Sequence, residues 1–254
     1  MCENHPPGER RGVSPPAPRL RCSTLPFGSA AGVSLIIMLV AALGCGDNTN
    51  SKSALGGDKP TAGSTPAIER ARQAQRNSSS ELVLSDVPLQ AGDLAAIADI
   101  LPDVTKLTVA KLSPADADCA FLASMPRLAH LVLGDAPLAD AGLKRICDLQ
   151  DLRHLNVTGT LVTDDGLRRL ASLPKLEQLR IGGDAITSTG VVHFQQLKRL
   201  EWLILVGTKI DDAALEDFRQ MTQLDSLYLF CPKISEEGLA KLHDDLLGEV
   251  HVHY

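Results

Sequence analysis

From residue 105 the chain repeats itself every 24 residues without a gap, and this period limits the possible folds more than any other feature. The blocks read "TKLTVAKLSPADADCAFLASMPRL" (105–128), "AHLVLGDAPLADAGLKRICDLQDL" (129–152), "RHLNVTGTLVTDDGLRRLASLPKL" (153–176), "EQLRIGGDAITSTGVVHFQQLKRL" (177–200), "EWLILVGTKIDDAALEDFRQMTQL" (201–224) and "DSLYLFCPKISEEGLAKLHDDLLG" (225–248). A looser copy, "ELVLSDVPLQAGDLAAIADILPDV" (81–104), precedes them, and "EVHVHY" follows. A unit this short cannot enclose a core alone, so it folds only by stacking on its neighbours.

Within each block, positions 3 and 5 are apolar, as in Leu131 and Leu133, Leu155 and Val157, or Leu179 and Ile181. That alternation is a strand with one buried face. Positions 15, 18, 21 and usually 24 are apolar at helical spacing, as in Leu167, Leu170, Leu173 and Leu176. Each unit is therefore one short strand and one short helix, and stacking gives an α/β solenoid with a parallel sheet on one side and helices on the other.

The fixed period with Leu-x-Leu at its start resembles the leucine-rich repeat family over residues 81–254, about seven repeats plus a terminal strand. With "ITSTG", "IDDAAL" or "ISEEGL" leading into the apolar stripe, the units look like the bacterial and cysteine-containing-type repeats that carry a true helix on the outer side. The resemblance implies a curved solenoid, with the sheet on the concave face and the helices on the convex face. The Asn that commonly ends the strand in this family is missing. Thr160 and Thr208 can stand in for it, while other repeats offer Asp184 or Pro232, so an imperfect polar ladder is expected.

The acidic pair in "VTDDGLRRL" (162–170), Asp164 and Asp165, has the residue types of an acid/base or cation site. Repetition argues against that. Position 12 holds Asp116, Asp140, Asp164, Ser188, Asp212 and Glu236, and position 14 holds Gly142, Gly166, Gly190 and Gly238. A short acceptor before an apolar helical stripe reads as a helix N-cap, and a catalytic constellation is not copied into six consecutive units. The acidic spacing is not that of a calcium loop. No P-loop, GxSxG, HExxH, CxxC or GxGxxG occurs, so no catalytic residue, cofactor or metal site is expected and the chain does not read as an enzyme.

Cys119 takes the place of the Leu at position 15 and reads as a small core residue, and a bridge from it to Cys147 on the neighbouring helix is left open. Cys231, at a strand end, reads as buried packing with a reactive thiol as the alternative. His130 and His154 occupy position 2 of adjacent repeats, which predicts stacked neighbours about 5 Å apart. Two imidazoles alone make a poor metal site. In strict register His251 and His253 would enter the core. A one-residue deletion in the last block, with Leu247 early, instead turns Val250 and Val252 inward and both histidines outward.

The outward strand positions 2, 4 and 6 run Lys106, Thr108, Ala110; His130, Val132, Gly134; His154, Asn156, Thr158; Gln178, Arg180, Gly182; Trp202, Ile204, Val206; Ser226, Tyr228, Phe230. The only Trp and one of two Tyr thus stand where solvent is expected, which marks an interaction site or a self-association surface. Arg180, Trp202, Ile204, Tyr228 and Phe230 are the candidate contacts for a protein or peptide partner. The alternative is a structural or self-associating scaffold, joined through the open C-terminal edge strand, with no specific ligand.

Residues 1–44 read as an export signal: a basic lead with Arg10, Arg11, Arg19 and Arg21, then the apolar run "AAGVSLIIMLVAALG". "ALGC" (42–45) resembles a bacterial lipobox, which implies that Cys45 is the lipidated first residue of a protein anchored in the cell envelope, although Ala42 replaces the usual Leu. Residues 45–80 are poor in large apolar side chains and read as a disordered tether. Without residues 1–44, which contain four Arg and two Glu, 21 basic and 29 acidic side chains remain, a formal charge of −8 that disfavours nucleic-acid binding.

Overall fold

The structure, a computed structural model, describes residues 64–114, 117–246 and 250–253. The export signal, Cys45, most of the expected tether and Asp116 lie outside the described residues. Among the described residues no helix is long and apolar enough to cross a membrane.

Eight strands form one parallel sheet in sequential order: β1 (Glu81–Leu84), β2 (Lys106–Val109), β3 (His130–Leu133), β4 (His154–Val157), β5 (Gln178–Gly182), β6 (Trp202–Val206), β7 (Ser226–Phe230) and β8 (His251–His253). From β2 to β7 each residue pairs with the one 24 positions on, so Leu131, Leu155, Leu179, Leu203 and Leu227 fall in one buried row. The period read from the sequence is thus the register of the sheet.

Both end pairings are one residue longer: Glu81 meets Lys106, and Ser226 meets His251. At the C-terminal end the irregularity is therefore an insertion, not the expected deletion. The parity is the same, so His251 and His253 are exposed while Val252 faces Leu227. The longer spacing accompanies the regular outer helices α2 (Asp93–Ile100) and α6 (Glu236–Asp245). An α-helix advances about 1.5 Å per residue against about 2.0 Å for a 3-10 helix, so the same distance takes more residues.

The intervening repeats correct the expectation of a true helix in every unit. Besides α3 (Asp140–Ile146), α4 (Asp164–Leu167) and α5 (Leu215–Arg219), the outer segments run as 3-10 turns over Ala120–Ser124, Arg168–Ser172, Ser188–Gln196 and Asp212–Ala214. A 24-residue period leaves about nine residues to cross the back of each unit, and the tighter, more elongated 3-10 winding stretches them across it. The apolar stripe is kept, with Leu167, Leu170, Phe194 and Phe218 buried between sheet and outer segments.

The reading of residues 45–80 as a disordered tether fails at its end. Helix α1 (Pro66–Arg76) starts from the N-cap Thr65, whose hydroxyl accepts from Ile68 N–H. Ala67 and Ala71 are fully buried, and Ile68 and Ala74 pack on the core. Thr65 Oγ1 also donates to Asp93 at 2.9 Å, and Gln75 Nε2 donates to the Ile100 carbonyl at 2.8 Å. The helix closes the open end of the first repeat, as a terminal cap must in a stack of this kind.

Candidate functional site

Asp164 does not cap its own helix. The N-cap is Thr163, in extended conformation at φ −103° and ψ 174°, while Asp164 is already the first helical residue. Its carboxylate turns sideways to the next repeat, accepting from Thr187 N–H at 2.9 Å, Thr187 Oγ1 at 2.5 Å and Thr189 Oγ1 at 2.6 Å. Asp140 takes Thr163 in the same way, and Asp212 takes Ser235. Position 12 is a rung between repeats, and side-chain capping comes from position 11 in two units, where Asp211 accepts from Ala213 N–H at 3.2 Å and Ser235 from Gly238 N–H at 2.9 Å.

The glycine at position 14 answers to the same carboxylate. A Cβ on Gly238 would stand 2.7 Å from Asp212 Oδ1, and one on Gly190 would stand closer still to Asp164 Oδ1. One pair is reversed: Ser188 occupies position 12 and donates to Asp211 at 2.6 Å, and Asp211 N–H donates back to Ser188 at 3.0 Å. With only a hydroxyl there, position 14 of the next repeat is Ala214 rather than Gly. That hydroxyl also holds the Asp211 carboxyl below the ordinary carboxylate range. These acids are occupied in joining repeats and offer no free acid/base pair.

The polar ladder at the strand ends is imperfect, as expected from the sequence. Thr160 is buried and donates to the Gly182 carbonyl at 2.9 Å, and buried Thr208 lies 3.0 Å from Cys231 Sγ. Cys119, Cys147 and Cys231 are buried and none is in a disulfide, so no bridge joins Cys119 to Cys147. Burial pushes the Cys147 thiol up to about 12 and raises that of Cys231, which leaves both unreactive as nucleophiles. Among the described residues no group of three or more His, Cys, Asp or Glu side chains could hold a metal ion.

The open sheet face carries the remaining chemistry. The rings of His130 and His154 stack with centroids 4.1 Å apart, and His154 Nδ1 lies 2.7 Å from Gln178 Oε1. Burial first, then the neighbouring His154, hold the His130 pKa below its ordinary value. Along the same row come Trp202, Ser226 and His251.

The next row runs Asn156, Arg180, Ile204, Tyr228 and His253 on successive strands. Tyr228 stacks on His253 at 4.2 Å with an interplanar angle of 10°, and Phe230 lies 6.5 Å from the Tyr228 ring. Of the five candidate contacts, Phe230 is exposed, and Arg180, Trp202 and Tyr228 are half-buried. Ile204 is only 8% exposed, covered by the side chains around it. Burial lowers the Arg180 pKa, and among the described residues no carboxylate or hydrogen-bond partner offsets that burial. Sequence position alone places these residues on one face. The unpaired state of Arg180 depends on which side chains fill the adjacent strands.

No protein-family model matches the chain, and no curated protein matches it by sequence. Among solved structures, an internalin of Listeria monocytogenes is similar with a TM-score of 0.50 at 19% identity, covering 73% of this chain and 54% of that one. A leucine-rich repeat protein of Leptospira interrogans gives 0.44 at 18% identity, covering 63% and 45%, and an internalin C2 of Listeria monocytogenes gives 0.48 at 16%, covering 75% and 92%. The chain spans about half the length of the first two. Sequential parallel strands, a buried Leu row in 24-residue register and the likeness to the first internalin together identify the fold as an α/β leucine-rich repeat solenoid.

Proposed function

We propose that the chain is a non-enzymatic recognition module that binds a protein or peptide on the concave sheet face, and that lipid on Cys45 anchors it in a bacterial cell envelope. The observation that carries the reading is the continuity of the patch. Arg180, Trp202, Ile204, Tyr228 and Phe230 lie on three neighbouring strands, with large rings beside a half-buried cation that has no partner among the described residues. Aromatic and arginine anchors of this kind carry most of the binding energy in protein interfaces.

Replacing Trp202 and Tyr228 together by Ala is expected to weaken capture of envelope proteins by at least about tenfold. The melting temperature should move by no more than about 3 °C, because both rings are half-buried on the face rather than in the core. A second reading, a self-associating scaffold, is favoured by the edge strand β8, which pairs only with β7. Loss of a dimer in sedimentation, with capture intact, would support that reading instead.

The anchor is tested separately. Cys45→Ser should move the protein from the membrane fraction to the soluble fraction. Retention on membranes without processing would sink the lipid reading.

A further inference from the structure

We infer that the occupant of this face is an extended acidic peptide segment, with one carboxylate seated on Arg180 and Asn156 and an apolar side chain three residues away against Tyr228 and Phe230. The inference rests on the recognition reading above and specifies its partner.

The charge distribution is the first argument. The whole chain is acidic, with 31 Asp and Glu against 25 Lys and Arg. Yet no Asp or Glu occupies the outward positions of β2 to β8, which instead carry Lys106, Arg180 and four histidines. The single outward acid of the sheet, Glu81 on β1, is held by Lys106 at 2.8 Å. Glu177, Glu201 and Asp225 sit at the strand starts, three residues before Arg180, Ile204 and Tyr228, or about 10 Å along the strands, and Glu177 is paired with Arg153. A face stripped of carboxylates in an acidic protein is complementary to an acidic partner.

Donor inventory is the second argument. Arg180 offers five N–H donors and Trp202 one, and neither side chain can accept. Arg180 pairs in register with Asn156 on one side and Ile204 on the other, and no described residue bonds to the Asn156 amide. Guanidinium and amide together suit the two oxygens of one carboxylate. Burial has already taken water from Arg180, so an arriving carboxylate replaces lost hydration.

Spacing separates a peptide from a polyanion. Beyond Arg180 the row turns apolar through Ile204 and Tyr228, so a polymer charged at every unit would place further charges on rings. Arg180 and Tyr228 are two strands apart, about 10 Å. A peptide extended in the polyproline II form advances about 3.1 Å per residue with about three residues per turn, so side chains three positions apart share one face. An acid and a large apolar residue three positions apart therefore meet both ends of the patch. The stack of Tyr228 on His253 holds the receiving ring in place.

Trp202 is the only tryptophan of the chain, so its emission reports binding at the patch. The full chain is titrated with acetyl-Ser-Glu-Ala-Ala-Phe-Ser-amide, with its Gln counterpart and with its Ala-for-Phe counterpart. The Glu peptide should change the emission saturably, and both counterparts should bind at least tenfold more weakly. Arg180→Gln should weaken the Glu peptide at least tenfold, without further loss for the Gln peptide. Equal binding of the Glu and Gln peptides would overturn the acidic assignment while leaving recognition intact. An unchanged emission with every peptide would also overturn it, and loss of capture in the Trp202 and Tyr228 variant would still support recognition. If oligogalacturonate changes the emission as strongly as the Glu peptide, with Phe immaterial, the occupant is an acidic polymer and the inference fails.

Discussion

Gly190→Ala is expected to lower the unfolding free energy by about 3 kcal/mol, a large change for one methyl group, because Gly190 is buried against the preceding repeat. The added Cβ would stand 2.9 Å from both Asp164 Cγ and Leu167 Cδ1, and closer to Asp164 Oδ1. The carboxylate cannot retreat without releasing Thr187 N–H, Thr187 Oγ1 and Thr189 Oγ1. Urea unfolding of the single variant reads this cost.

The molecule itself suggests the rescue. Where Ala214 stands in place of the glycine, the preceding repeat has Ser188 in place of the carboxylate and Val191 in place of the leucine, and Asp211 supplies the acid from the opposite side. Asp164→Ser with Thr187→Asp and Leu167→Val, added to Gly190→Ala, should recover most of the loss. If the four changes together are as unstable as the single one, steric conflict with the carboxylate is not the cause.

A chain shortened to begin at residue 81 should be less stable than one beginning at residue 64 by roughly 3 kcal/mol, and more prone to associate. The shortening removes fully buried Ala67 and Ala71 and partly buried Ile68, and uncovers the flank of α2 with Leu94 and Ile97. It also leaves Asp93 without its Thr65 partner, and removes the bond from Gln75 to the Ile100 carbonyl. Comparing urea midpoints of the two fragments measures the effect. Equal midpoints would mean that α1 only rests on the first repeat.

The strands were readable from the sequence because alternation and a fixed period act over a few residues. Leu131, Leu155, Leu179, Leu203 and Leu227 are buried in register as that pattern requires. Helix α1 was missed because its buried stripe is made of alanines, Ala67, Ala71 and Ala74, which contribute little hydropathy although their spacing is helical. Asp164 was misassigned because its donors lie 23 and 25 residues on, beyond the local window in which a helix start is recognised. The patch around Trp202 was legible as a set of positions. The lone cation within it was not, since pairing depends on side chains from other strands.

The reversed pair at Ser188 and Asp211 also makes the order of the units part of the protein's information. Excising residues 177–200 would bring Asp164 against Asp211, carboxylate facing carboxylate, with the Ala214 methyl in the space Asp164 requires. Excising residues 153–176 would bring Asp140 to Thr187 and Gly190, a matched set. Similar as they look, the units are not interchangeable. Loss of one unit is therefore expected to be tolerated at some junctions and refused at others, which would protect a duplicated sequence against losing a turn in the wrong place.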